Sequence, residues 1–395
     1  MSRRRRQAVA RVAHASIWPE KVQGSRKAHL VPVTTTRRAT IRGITSSVPV
    51  QRFDNLTDSS GFPREDVEKI VKMAGVKTRY LADDSLCSSD LCLAAARDLL
   101  QSLHWEPHSI DAVVFVTQSP DYFLPSTSCL IHRALKMSQS CATFDVGLGC
   151  SGYPYGLWLS AMMLEKPGFR RVLLLHGETP ARFSDRSDRS VALLFGDAGS
   201  ATALEASDID GSWWFSLHTD GAGSDDLIIE GGGFRDRFPA DVRKHFVKMN
   251  GANVFNFAIT QVPPLIEETL RAAQIAKEAI DYVILHQSNR FIMRHLAHKA
   301  DIPLDRVPMT ISEFGSTGGP SIPLTIAQGN LTRPTDRSLM LLLLGYGVGL
   351  SWASALVDLH PDAVLNHVSV PSTLGGDAPS HDKTFTQSPK AGTLG

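Results

Sequence analysis

Two periods of apolar and polar positions alternate along the middle of the chain. In REDVEKIVKMAG (64–75) Val67, Ile70, Val71 and Ala74 recur at helical spacing on one face, and Gly75 is placed to cap the C-terminus. SDLCLAAARDLLQSL (89–103) keeps that period and predicts a second helix, opened by a serine or aspartate cap. DAVVFVTQ (111–118) is a β-branched run, as expected of a strand buried on both faces. Such alternation between about Thr40 and Leu359 predicts an α/β core on a mostly parallel sheet.

The pattern also repeats. SIDAVVFV (109–116) and AIDYVILH (279–286) superpose as small–Ile–Asp–x–Val–apolar–apolar at a lag of 170 residues. RRVLLLHGE (170–178) and SLMLLLLGYG (338–347) each run an apolar strand into glycine. The chain therefore reads as two similar halves, 40–210 and 211–360. Ligand sites in such folds lie beyond the carboxyl ends of strands, so both halves are expected to supply chemistry.

The ends differ. Residues 1–39 hold all ten Lys/Arg of the first forty residues against Glu20 alone, without the apolar segment of a secretory signal. They are expected to be a disordered extension or, alternatively, an organelle-targeting or anion-binding arm. Residues 361–395, rich in Pro, Gly, Ser and Thr towards their end, are expected to be a disordered tail.

Composition narrows the class. With 395 residues, 43% hydrophobic, the chain can bury a large core, and 41 Lys+Arg against 40 Asp+Glu argue against a dedicated nucleic-acid binder. No apolar run has membrane-span length, and no Cys/His cluster has metal-site spacing, so neither a span nor a metal is expected. Five cysteines without a CxxC pair predict reduced thiols and a cytoplasmic setting. Cys92 and Cys129 lie in helical apolar patterns and are expected to fill the core.

Candidate chemistry sits at strand ends. In FDVGLGCSGYPYG (144–156), Cys150 stands among glycines where a strand ends and an apolar helix begins. A thiol at a helix N-terminus is expected to be favoured as thiolate, the nucleophilic form. A buried cysteine at a tight crossing is the bland alternative. A hydrolase elbow is a poor fit, because Leu148 occupies its first glycine position. His286 ends the apolar run DYVILHQS of the second half, as Cys150 follows a strand of the first. Ser316, in the turn EFGSTGGPSIPLTI (313–326), offers a hydroxyl or caps a helix. GYGVGLSW (345–352) offers backbone N–H groups for an oxyanion.

Taken together, FDVGLGCSG, DRSVALLFGDAGSATAL (188–204), GANVFNFA (251–258), LHQSN, FGSTGGPSIPL and GYGVGLSWASALV resemble, in order and spacing, the β-ketoacyl-[acyl-carrier-protein] synthase III family of thiolase-like condensing enzymes over residues 40–360. The resemblance implies a duplicated five-layer αβαβα fold and a homodimer. It implies that Cys150 takes an acyl group from acyl-CoA or acyl-ACP, with the N–H groups of Cys150 and Val348 as oxyanion hole. His286 and Ser316 would assist decarboxylative condensation with malonyl-ACP, and no permanently bound cofactor is expected. Arg189, Phe255 and Asn289 match positions along the pantetheine tunnel, and Leu124 matches a position that caps the acyl pocket across the dimer. Arg290, Arg294 and Lys299 would dock an acidic acyl carrier protein, or form an ordinary solvated face.

Departures from the family keep alternatives open. Ser316 stands where the family has Asn, a shorter rotatable donor in place of a fixed amide N–H. Lys69 and Met73 stand where Trp and Arg accompany acyl-CoA use. Leu124 in place of an aromatic predicts longer or branched acyl groups. Non-decarboxylating transfer to a hydroxyl, amine or carrier is therefore the alternative, and a non-catalytic partner subunit a third. Fatty-acid initiation, polyketide assembly and surface-polysaccharide decoration all fit.

Overall fold

The computed structural model describes residues 33–372, apart from 38, 60 and 208–210. The 111–118 run becomes the strand Ala112–Val116, buried throughout, and its echo becomes Tyr282–Leu285. Each follows a short 3-10 turn, Pro107–Ser109 or Lys277–Ala279. Each lies parallel to the long apolar strand of its own half, Arg171–Glu178 or Leu339–Gly347. The two aspartates of the echo do the same work. Asp111 donates its N–H to the Arg171 carbonyl at 2.9 Å, and its carboxylate accepts the Arg171 N–H at 2.9 Å. Asp281 donates to the Met340 carbonyl at 3.0 Å and accepts the Met340 N–H at 2.8 Å. The repeated letters are thus a repeated clamp on two parallel strand pairs.

The strands form two large sheets. One runs Val364–Val370, Ala39–Pro49, Ala198–Ala206, Arg171–Glu178, Ala112–Val116, Ala142–Val146; the other runs Thr34–Arg37, Ser212–Thr219, Ser351–Leu359, Leu339–Gly347, Tyr282–Leu285. Both are mixed, which corrects the expectation of a mostly parallel sheet. Ala198–Ala206 and Ser351–Leu359 lie antiparallel to both neighbours. Residues 348–350 are too few for a helical crossover, so Ser351–Leu359 can only return as a hairpin.

Helices Gly152–Leu164 and Ser321–Gln328 fill the layer between the sheets. Ser88–Ser102 and Thr127–Leu135 cover the outer face of the first sheet, Gly251–Ala273 and Arg290–Lys299 that of the second, giving the five-layer αβαβα arrangement. Gly152–Leu164 carries no charged side chain, as suits a helix surrounded by protein. Arg64–Ala74 ends as its pattern requires, with Gly75 left-handed (φ +88°) and its N–H on the Val71 carbonyl at 3.0 Å. Ser88–Ser102 is capped by Cys87 instead of serine or aspartate, and the Asp90 carboxylate accepts the Cys87 N–H at 2.8 Å.

Three further expectations change. Cys92 is a core residue, but Cys129 is exposed, because its helix buries Thr127, Ser128, Ile131 and Leu135 instead. The tail is ordered further than composition predicts: Val364–Val370 pairs in parallel with Ala39–Pro49. Its polar residues find partners, Asn366 on Asp98 at 2.8 Å and His367 on Ser46 at 2.8 Å, so few large apolar groups are needed. At the other end Thr34–Arg37 joins the second sheet through Ser212–Thr219. The remainder of both predicted extensions, 1–32, 38 and 373–395, lies outside the described residues.

Candidate active site

The strand Ala142–Val146 stops at the loop 147–151, where the Gly152 N–H turns back to the Gly149 carbonyl at 2.7 Å and the central helix starts. Cys150 sits in this turn, partly exposed. Burial of its sulfur pushes the thiol up to about 11. The N–H groups of Val348 and of Cys150 itself act in the opposite direction, and Glu178 adds to the rise. The expected thiolate is therefore corrected: without substrate the sulfur keeps its proton, since lost hydration outweighs the helix terminus.

His286 continues the strand Tyr282–Leu285, with its N–H on the Leu344 carbonyl at 2.8 Å. Its imidazole is buried, with Nδ1 2.9 Å from Ser321 Oγ. That hydroxyl also accepts the Gln287 N–H at 3.1 Å, which fixes its oxygen. Burial holds the imidazole down at about 4, against a hydrogen bond to the Gly318 backbone, so it is neutral near pH 7 and able to accept a proton.

Residues 346–348 connect the two groups. The Tyr346 ring stands edge-on to the His286 imidazole at 5.7 Å. Gly347 lies against the sulfur, since a Cβ there would come 2.7 Å from Cys150 Sγ. The Val348 N–H points at the same sulfur. Ser316 is buried in the turn before Ser321–Gln328, its N–H on the Leu194 carbonyl at 2.9 Å and its carbonyl on the Gly196 N–H at 3.1 Å.

A cavity of about 240 Å³ opens beside the sulfur, walled by Cys150, Val348, Glu178 and Gly318 together with apolar side chains such as Phe183 and Ile228. Pockets enclosing drug-sized ligands span roughly 300–1,000 Å³, so this one suits the acyl end of a thioester rather than the whole molecule. His286 and Ser316 do not line it themselves; His286 is hydrogen-bonded to the Gly318 backbone and Ser316 pairs in strand-like fashion with Phe195, and both of those residues do line it.

The remaining sequence-predicted residues lie outside this wall. Arg189 pairs with Asp66 at 2.7 Å, and Phe255 stacks on Phe291 with centroids 5.9 Å apart. Asn289 caps the helix Arg290–Lys299 by accepting the Phe291 N–H at 2.8 Å. Arg290 and Arg294 line a second depression of about 830 Å³ with Lys69, Lys72 and Met73. Lys299 does not join them; its ammonium donates to the Ile259 carbonyl at 2.8 Å. Leu124 is 83% exposed. Sequence reasoning passed over Glu178 and Ser321. Glu178 carried the same signal that singled out His286, a polar residue closing an apolar strand. Among the described residues no group of three or more His, Cys, Asp or Glu could hold a metal ion, and no helix is long and apolar enough to cross a membrane.

A protonated thiol and a neutral imidazole make a testable difference. A preformed thiolate–imidazolium pair would give an alkylation rate at Cys150 that is flat through neutral pH. Here iodoacetamide labelling of Cys150, followed by peptide mass, should keep rising from pH 7 to pH 10, by up to about tenfold per pH unit, as the thiolate fraction grows towards about 11. A plateau below pH 8 would contradict the neutral pair.

The family model described as 3-oxoacyl-[acyl-carrier-protein (ACP)] synthase III matches residues 144–221, and its C-terminal counterpart matches residues 270–359. A Campylobacter jejuni protein named as a 3-oxoacyl-[acyl-carrier-protein] synthase 3 is 33% identical over 337 residues, covering 81% of this chain and 94% of its own length. The crystal structure of a 3-oxoacyl-(acyl-carrier protein) synthase from Burkholderia xenovorans LB400 superposes with a TM-score of 0.83 at 39% identity, covering 86% of this chain and 99% of that one. The priming β-ketosynthase of the R1128 polyketide pathway gives a TM-score of 0.75 at 25% identity, covering 82% and 97%. The chain belongs to the 3-oxoacyl-[acyl-carrier-protein] synthase III family and is an acyltransferase of the ketoacyl-synthase type.

Proposed function

We propose that Cys150 accepts an acyl group from an acyl thioester and passes it, by decarboxylative condensation, to malonyl-ACP as a β-ketoacyl-ACP. The observation that carries this reading is the convergence of the Cys150 and Val348 N–H groups on the one sulfur that lines the cavity. As the sulfur attacks the thioester carbonyl, the neutral imidazole of His286 takes the thiol proton and later returns one to the leaving thiol. The tetrahedral oxyanion lies between the same two N–H groups, a donor of this kind being worth about 2.7–4 kcal/mol of barrier. After thiol release, malonyl-ACP loses carbon dioxide and its enolate, accepting a hydrogen bond from a ring N–H of His286, attacks the acyl-cysteine carbonyl; the bond to sulfur breaks, and Cys150 leaves as thiolate and regains its proton from solvent. Each step uses side chains and backbone alone, so no permanently bound cofactor is invoked.

Ser316 favours a second reading, acyl transfer to a hydroxyl, amine or carrier without loss of carbon dioxide. Its backbone is tied to Leu194 and Gly196, so its short side chain has less reach than the Asn amide it stands for. Incubation with acyl donors and carboxyl-labelled malonyl-ACP separates the two readings. Acyl-enzyme formation without release of labelled carbon dioxide, across a broad set of donors, rejects condensation. Ser316→Asn should then raise carbon dioxide release by about tenfold, the scale of one added hydrogen bond to a charged group. No gain would remove Ser316 as the reason.

The basic depression of Lys69, Lys72, Arg290 and Arg294 supports an acidic carrier protein as the delivering partner. Lys69 and Met73 line it where acyl-CoA users carry Trp and Arg, while the exposed Phe291 ring in the same depression supplies an aromatic face, so acyl-ACP and acyl-CoA both fit this reading as donors. The exposed Leu124 is in keeping with a homodimer in which it reaches the partner's acyl pocket.

A further inference from the structure

Cys150 and Glu178 are the two ionisable residues of the cavity wall. Glu178 closes the strand Arg171–Glu178 and is 3% exposed. Its Oε1 accepts the Gln118 N–H at 2.8 Å and its Oε2 accepts the Ser119 hydroxyl at 2.9 Å. Ser119 Oγ in turn accepts the Thr179 N–H at 3.1 Å. The loop held in this way closes over the nucleophile turn, for a Cβ on Gly149 would meet Gln118 Oε1 at 2.1 Å. On its other side the stem of Glu178 packs on Gly318, where a Cβ would lie 3.2 Å from Glu178 Cγ and φ is +67°. The Gly318 backbone is also a hydrogen-bond partner of His286.

One side chain thus touches the loop over Cys150 and the turn behind His286. Its charge also reaches the sulfur, because an ionised Glu178 opposes ionisation of the Cys150 thiol. Burial pushes the Glu178 carboxyl up to about 8, against the bonds from Gln118 and Ser119, and Asp197 adds to the rise. The titratable groups around it are Asp197, Cys92 and Cys150, with the buried His176 two residues earlier on the same strand and His286 across Gly318. Arg79 and Arg182 act on Asp197. Among the described residues no lysine or arginine forms an ion pair with Glu178.

We propose that Glu178 is a positioning residue of the acylation site, which holds Gln118 and Gly318 around Cys150 and whose charge controls how readily the thiol gives up its proton. This rests on Cys150 being the acyl-accepting nucleophile. At neutral pH Glu178 is largely protonated and leaves the sulfur undisturbed. As pH rises it ionises before the thiol does and holds the thiol back.

Glu178→Gln removes the charge and keeps one acceptor oxygen, for the Gln118 N–H, with its amide NH2 left to donate to Ser119 Oγ. Iodoacetamide labelling of Cys150 against pH, with Cys150→Ala subtracted to remove labelling elsewhere, is the measurement. The profile of Glu178→Gln should move to lower pH, with labelling at pH 9 about tenfold faster than wild type, one unit of thiol acidity. Ser119→Ala removes a donor that favours the carboxylate, so it should shift the profile the same way by a smaller amount. A purely structural role would change amplitude or melting temperature without moving the midpoint. Profiles of both variants superimposable on wild type overturn the proposal. Should Glu178→Gln fail to fold, the Ser119→Ala profile decides alone. Because the label needs no acyl donor, a shifted profile with no acyl-enzyme from any donor would sink the proposed function and leave the control of the thiol standing.

Discussion

Cys150→Ala should show no mass gain with any acyl thioester, where the wild-type protein gains one acyl group. Turnover should fall by on the order of 10⁴-fold or more, as when the nucleophile of a covalent mechanism is removed. Substitution at the other cysteines should leave the gain intact. Cys92 and Cys141 are buried in the core, and Cys87 and Cys129 lie away from the cavity. The variant loses one sulfur atom and no backbone contact, so its melting temperature should stay near that of wild type. Intact-protein mass spectrometry of both proteins, with a thermal melt alongside, is the check. A surviving donor-dependent adduct would place the acyl group elsewhere.

Gly347→Ala should be nearly as severe, for a steric reason. The new methyl would stand 2.7 Å from both Cβ and Sγ of Cys150. Neither atom is the free end of a long side chain, so the nucleophile turn or the 346–348 segment must move. Either shift carries the Val348 N–H off the sulfur. Acylation should drop by about 10²–10³-fold, the range for losing one oxyanion donor. The overpacking itself should lower stability by about 1–3 kcal/mol. Single-turnover acylation and thermal melts read the two effects separately. An acylation rate within about threefold of wild type would show that this turn does not support the oxyanion.

Much of this architecture is legible as letters because it repeats or ends abruptly. The Ile–Asp echo marks the duplication because its aspartates clamp equivalent strand pairs. Cys150 and His286 stand out because each breaks off an apolar run. What escapes the letters depends on distances between segments far apart in the chain. The charge state of Cys150 is such a case: the helix terminus is local, whereas the burial that overrides it comes from residues near 178 and 348. Lys299 has the spacing to extend a basic face, yet the Ile259 carbonyl of a neighbouring helix captures it. Val364–Val370 looks like tail because its polar side chains are satisfied by Asp98 and Ser46, some 270–320 residues earlier.

A sulfur that burial holds as thiol is shielded from more than alkylation. Peroxide and disulfides react with the anion, so a protonated Cys150 is a slow target for sulfenic acid formation and for mixed-disulfide capture. On the proposed function, the acyl-accepting sulfur thereby stays in the chemical form least open to oxidation.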